Sequence, residues 1–255
     1  LRETLEIRPH DGRLHEELAH FRARIGRDSE AQTAARRSLE LRPENPWLRQ
    51  WLSVVSREER FEEPYVEESE TFLVRRGDRS GHDVRTLLNL EVRKVHQSGQ
   101  SDEFRQLVFE AETLEGARNL GRYQIAYTPH RQRLRIERAR VHRPDGTTRE
   151  AVDVSTRDMY DPSIRMYYDL RMTTIAFGDL QAGDVVEIRY RISDVGHANE
   201  LGDYFGAVKL FQGMTPVSRL AYVLLAPSGR EFQFQIPDVE NLQHRTRELG
   251  DETEH

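Results

Sequence analysis

The chain has 255 residues, no cysteine and a formal net charge of -6. Those values exclude thiol catalysis, disulfides and thiolate metal sites, and they give no global attraction to nucleic acid or an anionic membrane. The length allows one or two domains with a sizeable core, and no apolar run approaches the roughly 20 residues that span a bilayer as a helix.

The N-terminus, LRETLEIRPH, has neither a basic n-region nor an apolar h-region. The chain starts inside a pattern and ends in charged residues, so it reads as a piece excised from something longer. Leu5-Glu6-Ile7-Arg8-Pro9-His10-Asp11 returns as Leu39-Glu40-Leu41-Arg42-Pro43-Glu44-Asn45, an offset of 34 residues. Between the copies, the spacing predicts two helices, Gly12 to Ile25 and Asp28 to Leu41. Leu14, Leu18, Phe21 and Ile25 make one apolar stripe; Ala31, Ala34, Ala35, Ser38 and Leu39 make another, small enough for close helix approach. Asn45-Pro46-Trp47 is a cap with Pro at the first helical position, predicting a third helix through Trp51 and Val55. The segment resembles the end of a tetratricopeptide array, which implies a surface for a peptide or partner protein. The alternative is that these helices only cap or pack on the β-rich remainder of the chain.

Glu62-Glu63-Pro64-Tyr65 breaks the pattern, and residues 61–83 are expected to be a linker. Leu88, Leu90 and Val92 then alternate with polar residues, and across Ser98-Gly99-Gln100 a second strand carries Leu107, Phe109 and Ala111 inward, a β-hairpin. Tyr123, Ile125 and Tyr127 form another strand. Arg131 to His142 leads into the turn Arg143-Pro144-Asp145-Gly146, with Thr147 to Val154 as its return. In that strand the apolar parity changes between Leu134/Ile136 and Ala139/Val141, which predicts a bulge near Glu137. Asp158 to Tyr168 reads as an ordered loop, and Met172 to Phe177 as a strand.

Gln181-Ala182-Gly183-Asp184 is a tight turn. After it Val186, Ile188, Tyr190 and Ile192 face a core, while Glu187, Arg189, Arg191 and Ser193 are expected in water. Val195 to Gly206 is a polar crossing. Leu220 to Leu225 is apolar on both faces, as in a central strand, and Glu231 to Ile236 is a further strand with Phe232, Phe234 and Ile236 inward. The expected fold class is α+β and multidomain. Residues 1–60 are tetratricopeptide-like helical hairpins, 84–240 an antiparallel β-sandwich-like module, and 241–255 a charged tail.

ARVHRPDG at Ala139 to Gly146, DLQAGDVVEIRYRISD at Asp179 to Asp194, and YFGAVKLFQGMTPVSRLAYVLLAPSG at Tyr204 to Gly229 together resemble one module. It is the bacterial domain of unknown function numbered 3857, and the likeness covers roughly Val84 to Ile236. In that family the β-rich unit usually stands ahead of a transglutaminase-like domain, often with tetratricopeptide repeats before it. The resemblance therefore implies a non-catalytic piece, because the catalytic Cys, His and Asp belong to the following domain and no position here matches them. It also implies a periplasmic or cell-envelope setting.

Ten histidines are scattered without HExxH or zinc-site spacing, and His15 and His20 do not share a helical face. No GxSxG elbow occurs, and no Gly-rich loop joins a strand to a helix, so no cofactor is expected. Asp158 and Asp161, with Glu103 or Glu110, are imaginable as paired carboxylates, although loop and solvated strand positions are the commoner explanation. The basic cluster Arg131, Arg133, Arg135, Arg138, Arg140 and Arg143 is either a patch for an acidic partner or anionic glycan, or a solvated strand face. Tyr160, Tyr167, Tyr168, Tyr204 and Phe205 are either core and sheet-packing residues or a carbohydrate platform, with Tyr160 to Tyr168 as the candidate lining of a ligand groove. Candidate binding residues are thus Arg131, Arg133, Arg135, Tyr160, Tyr167 and Tyr168. Three functions remain: an accessory or scaffold piece of a larger transglutaminase-like or protease-like protein, a stand-alone binding module for a cell-envelope glycan or protein, and an enzyme built on residues such as Asp161 or His197. Proteins or peptides, and a downstream catalytic domain, are the expected partners; nucleic acid is not.

Overall fold

The computed structural model describes residues 7–24, 27–46, 48–49, 52, 60–96, 99–129, 131–159, 170–194, 204–211, 213, 215–237 and 240–255. The chain divides into two compact units, with the boundary between Glu63 and Pro64.

In the first unit, helix α1 (Gly12–Arg24) packs on α2 (Asp28–Leu41). Asp11 starts α1 by accepting the backbone N–H of Arg13 at 3.0 Å and of Leu14 at 3.4 Å. Residues 46, 48, 49 and 52 are helical, and the Asn45 side chain accepts the Leu48 N–H at 3.1 Å, as its cap sequence predicts. Leu18, Ala19, Ala34, Ala35, Leu48 and Leu52 form the core, with the small residues of α2 admitting the larger ones. The Ser38 hydroxyl donates to the Gly12 carbonyl at 2.7 Å, joining the two helices in a buried position. Phe21, expected in the buried stripe, is 46% exposed: α1 meets α2 through Leu18 and Ala19, and Phe21 lies off that line. Ile25, Trp47, Trp51 and Val55 lie outside the described residues.

The second unit is β-rich, with two sheets and few helices. Its strands are β1 (Val84–Val95), β2 (Ser101–Ala111), β3 (Arg122–Tyr127), β4 (Gln132–His142), β5 (Thr148–Glu150), β6 (Asp153–Asp158), β7 (Arg171–Ala176), β8 (Val185–Asp194), β9 (Leu220–Pro227), β10 (Arg247–Leu249) and β11 (Glu252–Glu254). Eight make one sheet in the order β10-β11-β9-β1-β2-β8-β4-β5, and three make another, β3-β7-β6. Two short helices accompany them, α3 (Ser69–Leu73) and α4 (Leu114–Leu120).

The main core draws on both sheets. Leu107, Ala139, Val141, Val186, Ile188 and Tyr190 of the large sheet meet Ile125 and Ile175 of the small one, with Ala117 of α4. Helix α4 begins at Thr113, whose hydroxyl oxygen accepts the Gly116 N–H at 3.0 Å. At Gly116 the backbones nearly touch; a Cβ there would lie 1.9 Å from the Asp83 carbonyl oxygen, so only glycine fits. Gly183, in the turn before β8, has φ +92°, again a glycine conformation.

The β4–β8 register shifts between Ile136 and Arg138, leaving Glu137 as the extra residue that the parity change predicts. Other expectations are corrected. The hairpin β1–β2 does not send both apolar rows inward on one side: Leu90 stands opposite Gln106 and Asn89 opposite Leu107, so the rows face opposite sides of the sheet. The sheet is mixed rather than antiparallel, because β9 runs parallel to β1, from Asn89 opposite Leu220 to Lys94 opposite Leu225. The return after the Pro144 turn splits in two. Ala151 N–H bonds to Ala139 of the large sheet and Val152 N–H to Ala176 of the small one, so the chain changes sheets there. Glu231 to Ile236 is not a strand: β9 already has β1 and β11 on its edges, and Phe234 and Ile236 stay 42% and 43% exposed. Residues 247–249 and 252–254 supply end strands of the sheet where a charged tail was expected.

Candidate functional site

The polar residues of the large sheet form two clusters, one on each face. On the main-core face, β1 carries Glu91 and Arg93 and β2 carries Glu103 and Arg105. Antiparallel pairing sets Glu91 opposite Arg105 and Arg93 opposite Glu103. A Glu-x-Arg on each strand therefore closes a ring. Glu91 lies 3.0 Å from Arg93 and 2.9 Å from Arg105, Glu103 lies 2.5 Å from Arg105, and Glu103 and Arg93 are also paired. Lys209, from the extended segment 204–211, adds a 2.8 Å pair to Glu91. Burial would raise the Glu91 carboxyl, but Arg105, Lys209 and Arg93 outweigh it and hold it below its ordinary value. The nearby Tyr222 phenol is pushed up to about 12 by burial.

Beside this ring is a cavity of about 280 Å³, lined by Arg93, Ser101, Glu103, Asp194 and Phe205 among others. The Asp194 carboxylate accepts the Ser101 backbone N–H at 2.9 Å and its hydroxyl at 3.2 Å. The Arg93 guanidinium carbon stands 5.9 Å from the centre of the Phe205 ring.

On the opposite face, Glu187 and Arg189 of β8, expected in water, are buried, Glu187 to 1% exposure. The segment before α3 covers them. Glu187 lies 3.0 Å from His142, 2.6 Å from Arg189 and 3.7 Å from Arg138, and Gln106 donates to it at 3.2 Å. The Gln106 amide imitates a neighbouring strand: its carbonyl accepts the Glu67 N–H at 2.9 Å and its NH2 donates to the Glu67 carbonyl at 2.6 Å. Arg189 donates to the same carbonyl at 3.0 Å. Phe72 is wholly buried, its ring meeting His142 edge-on at 5.5 Å. Burial acts to raise Glu187, but His142, Arg189 and Arg138 together hold it below the usual carboxylate range.

His96 and Asp102 lie 2.7 Å apart, and Ser193 also bonds Asp102. Here the carboxylate sits between the other two, whereas in a nucleophilic triad the histidine stands in the middle. Burial would raise Asp102; His96, Ser193 and Arg191 hold it low. Among the described residues, no three His, Asp or Glu side chains are grouped as a metal site needs.

The arginine cluster does not form one patch. Arg131, Arg133, Arg135 and Arg143 are exposed, whereas Arg138 turns to Glu187 and Glu68, and Arg140 pairs with Glu150 at 2.5 Å. Asp158 is an exposed β6 residue paired with Arg171 at 2.7 Å, and Glu110 pairs with Arg76 at 2.8 Å, so Asp158, Glu103 and Glu110 are bound in separate ion pairs. Tyr204 is exposed, while Phe205 packs on Val95, Leu224 and Ala226. Tyr160, Tyr167, Tyr168, Asp161 and His197 lie outside the described residues. Both polar clusters escape a strand-by-strand reading. The signal that could have found them is the triplet Glu-x-Arg, present at Glu91, Glu103 and Glu187 on three adjacent strands.

Residues 97–255 match DUF3857, described as a domain of unknown function with a solved structure. The chain belongs to that family. No curated protein matches it. Among solved structures, a "putative protease" from Parabacteroides distasonis is similar with a TM-score of 0.55 and 15% identity, over 68% of this chain and 34% of that one. The likeness shows a shared fold, and the chain spans about a third of that protein's length. An M1 zinc metallopeptidase from Deinococcus radiodurans matches at a TM-score of 0.36 and 9% identity, over 68% of this chain and 38% of that one, which is too low to compare folds. No helix among the described residues is long and apolar enough to cross a membrane.

Proposed function

We propose that this chain is a non-catalytic accessory or scaffold module of a larger bacterial transglutaminase-like or protease-like protein, mediating contact with a protein partner or substrate. In this reading the helical unit is a tetratricopeptide-like hairpin that holds a protein or peptide. The two-sheet unit is a sandwich that meets the catalytic domain.

The observation that carries the reading is the segment 204–211, where the usual alternation is inverted. Phe205 and Lys209 turn to the sheet, while Val208 and Leu210 stand 92% and 77% exposed. Exposed Val and Leu, followed directly by exposed Phe211, suit a protein-docking surface. The resemblance stated above supplies the expected neighbour, and in the Parabacteroides distasonis protein the matched fold covers 34% of the chain.

The test is to read the source gene onward from the codon for His255. A continuing frame with Cys, His and Asp in a transglutaminase-like arrangement is expected, and a stop codon shortly after His255 overturns the proposal. That domain, expressed separately, should bind this chain saturably by calorimetry, and Val208→Asp with Leu210→Asp should weaken binding at least about tenfold. Unchanged binding removes the docking surface from this segment.

A further inference from the structure

The cavity beside the Glu91–Arg93–Glu103–Arg105 ring has the make-up of a ligand site. One wall is Arg93 with Glu103, side chains that cannot swing away because each is held by a second partner in the ring. Asp194, at the end of β8, is fixed by the Ser101 N–H and hydroxyl. Gln132 is fixed by the Thr128 N–H, which its side-chain carbonyl accepts at 3.1 Å. Phe205 and Tyr204 add aromatic surface. Gly206 keeps the rim open for Tyr204, since a Cβ there would lie 2.6 Å from the phenol oxygen.

We propose that this cavity binds one ring of a neutral polyhydroxylated ligand, a sugar residue. Hydroxyl groups both donate and accept, and the walls offer carboxylates to accept and a guanidinium to donate. The C–H face of such a ring suits the aromatic side chains. Charge selects against the alternatives. Around the cavity Glu91, Glu103 and Asp194 stand against Arg93, Arg105 and Lys209, so these groups leave no net positive charge to attract a phosphate, sulfate or uronate. Size fits as well: about 280 Å³ is at the small end of ligand sites and suits a single ring. The inference does not rest on the accessory reading, because a docking module and a self-sufficient binding protein could both carry this site.

The test is a titration of the isotope-labelled full chain, followed by the backbone amide signals of Ser101, Gln132 and Phe205. The probes are D-glucose, N-acetyl-D-glucosamine, D-glucuronate and N-acetyl-lysine methylamide. Saturable shifts at those three amides with one of the neutral sugars, with Kd on the order of 1 mM as expected of so small a ligand, support the site. Glucuronate should bind at least about tenfold more weakly. Tyr204→Ala, at an exposed position that should not disturb folding, should weaken sugar binding about tenfold. Arg133→Ala, on the exposed part of β4, should leave it unchanged. Saturation by the amine probe alone, by glucuronate in preference, or by no probe overturns the proposal, as do sugar-induced shifts confined to other residues.

Discussion

Replacing Glu187 by Gln keeps the shape of the side chain and removes its charge. The amide oxygen can stay with Arg189 and Gln106, which donate to one carboxylate oxygen at 2.6 and 3.2 Å, and the NH2 can turn to His142 Nε2, 3.0 Å from the other, so the charge is what the replacement removes. Glu187 is 1% exposed, so water cannot take over, and Arg189, itself 7% exposed, loses its principal counter-charge. Breaking one side of a buried ion pair costs about 3–5 kcal/mol. Here the lower end applies, because Arg189 keeps bonds to the Glu67 carbonyl and to Glu68. A loss of about 3 kcal/mol lowers the melting temperature of a unit this size by roughly 6–12 °C. The assay is urea and thermal unfolding followed by far-UV circular dichroism, which reads the strands of this unit directly. Replacing both partners, Glu187→Leu with Arg189→Met, should recover part of the loss by leaving no orphan charge on that pair. A single-variant loss below about 1 kcal/mol would refute the reasoning, since it would mean that Glu187 is solvated in the folded protein.

Two further outcomes are expected from the same structure. Gly116→Ala forces a Cβ to 1.9 Å from the Asp83 carbonyl oxygen, so α4 must shift; a loss of about 1–3 kcal/mol is expected by the same unfolding assay. Acid should also destabilise the β-rich unit. Glu91, Asp102 and Glu187 are depressed when folded, so their contribution is complete above the unfolded value of roughly 4 and lost as pH falls through the folded values. The urea midpoint should therefore be nearly level between pH 7 and 5 and fall steeply below about pH 4.

Alternation made most strands of the β-rich unit legible, and at Glu137 it also located the bulge, because a one-residue insertion must exchange faces. What it left dark was the second face of the sheet. Glu187 and Arg189 lie opposite Val186 and Ile188 in any strand. Whether water or a covering segment lies beyond them depends on residues 64–73, more than a hundred positions away. The direction of β9 was hidden for a similar reason: a run apolar on both faces marks an interior strand without saying which way it runs. The cavity was illegible because Arg93, Glu103, Asp194 and Phe205 come from four separate stretches that only the strand order brings together. Glu231–Ile236 misled because its alternation is genuine, while both edges of β9, the strand it follows, are already taken by β1 and β11.

The parallel pairing of β1 with β9 has a consequence for how the protein is made. Strand β2 can close one edge of β1 almost as soon as the hairpin leaves the ribosome. The other edge waits for Leu220, more than a hundred residues behind Asn89. At a synthesis rate of about 5–20 residues per second, that edge stays open for several seconds or longer, carrying Leu90 and Val92. Such an interval is long compared with the microseconds in which a hairpin forms, and it favours pairing between nascent chains. Late-formed long-range pairing also slows folding in general, so refolding from denaturant is expected to be slow and to lose yield as protein concentration rises.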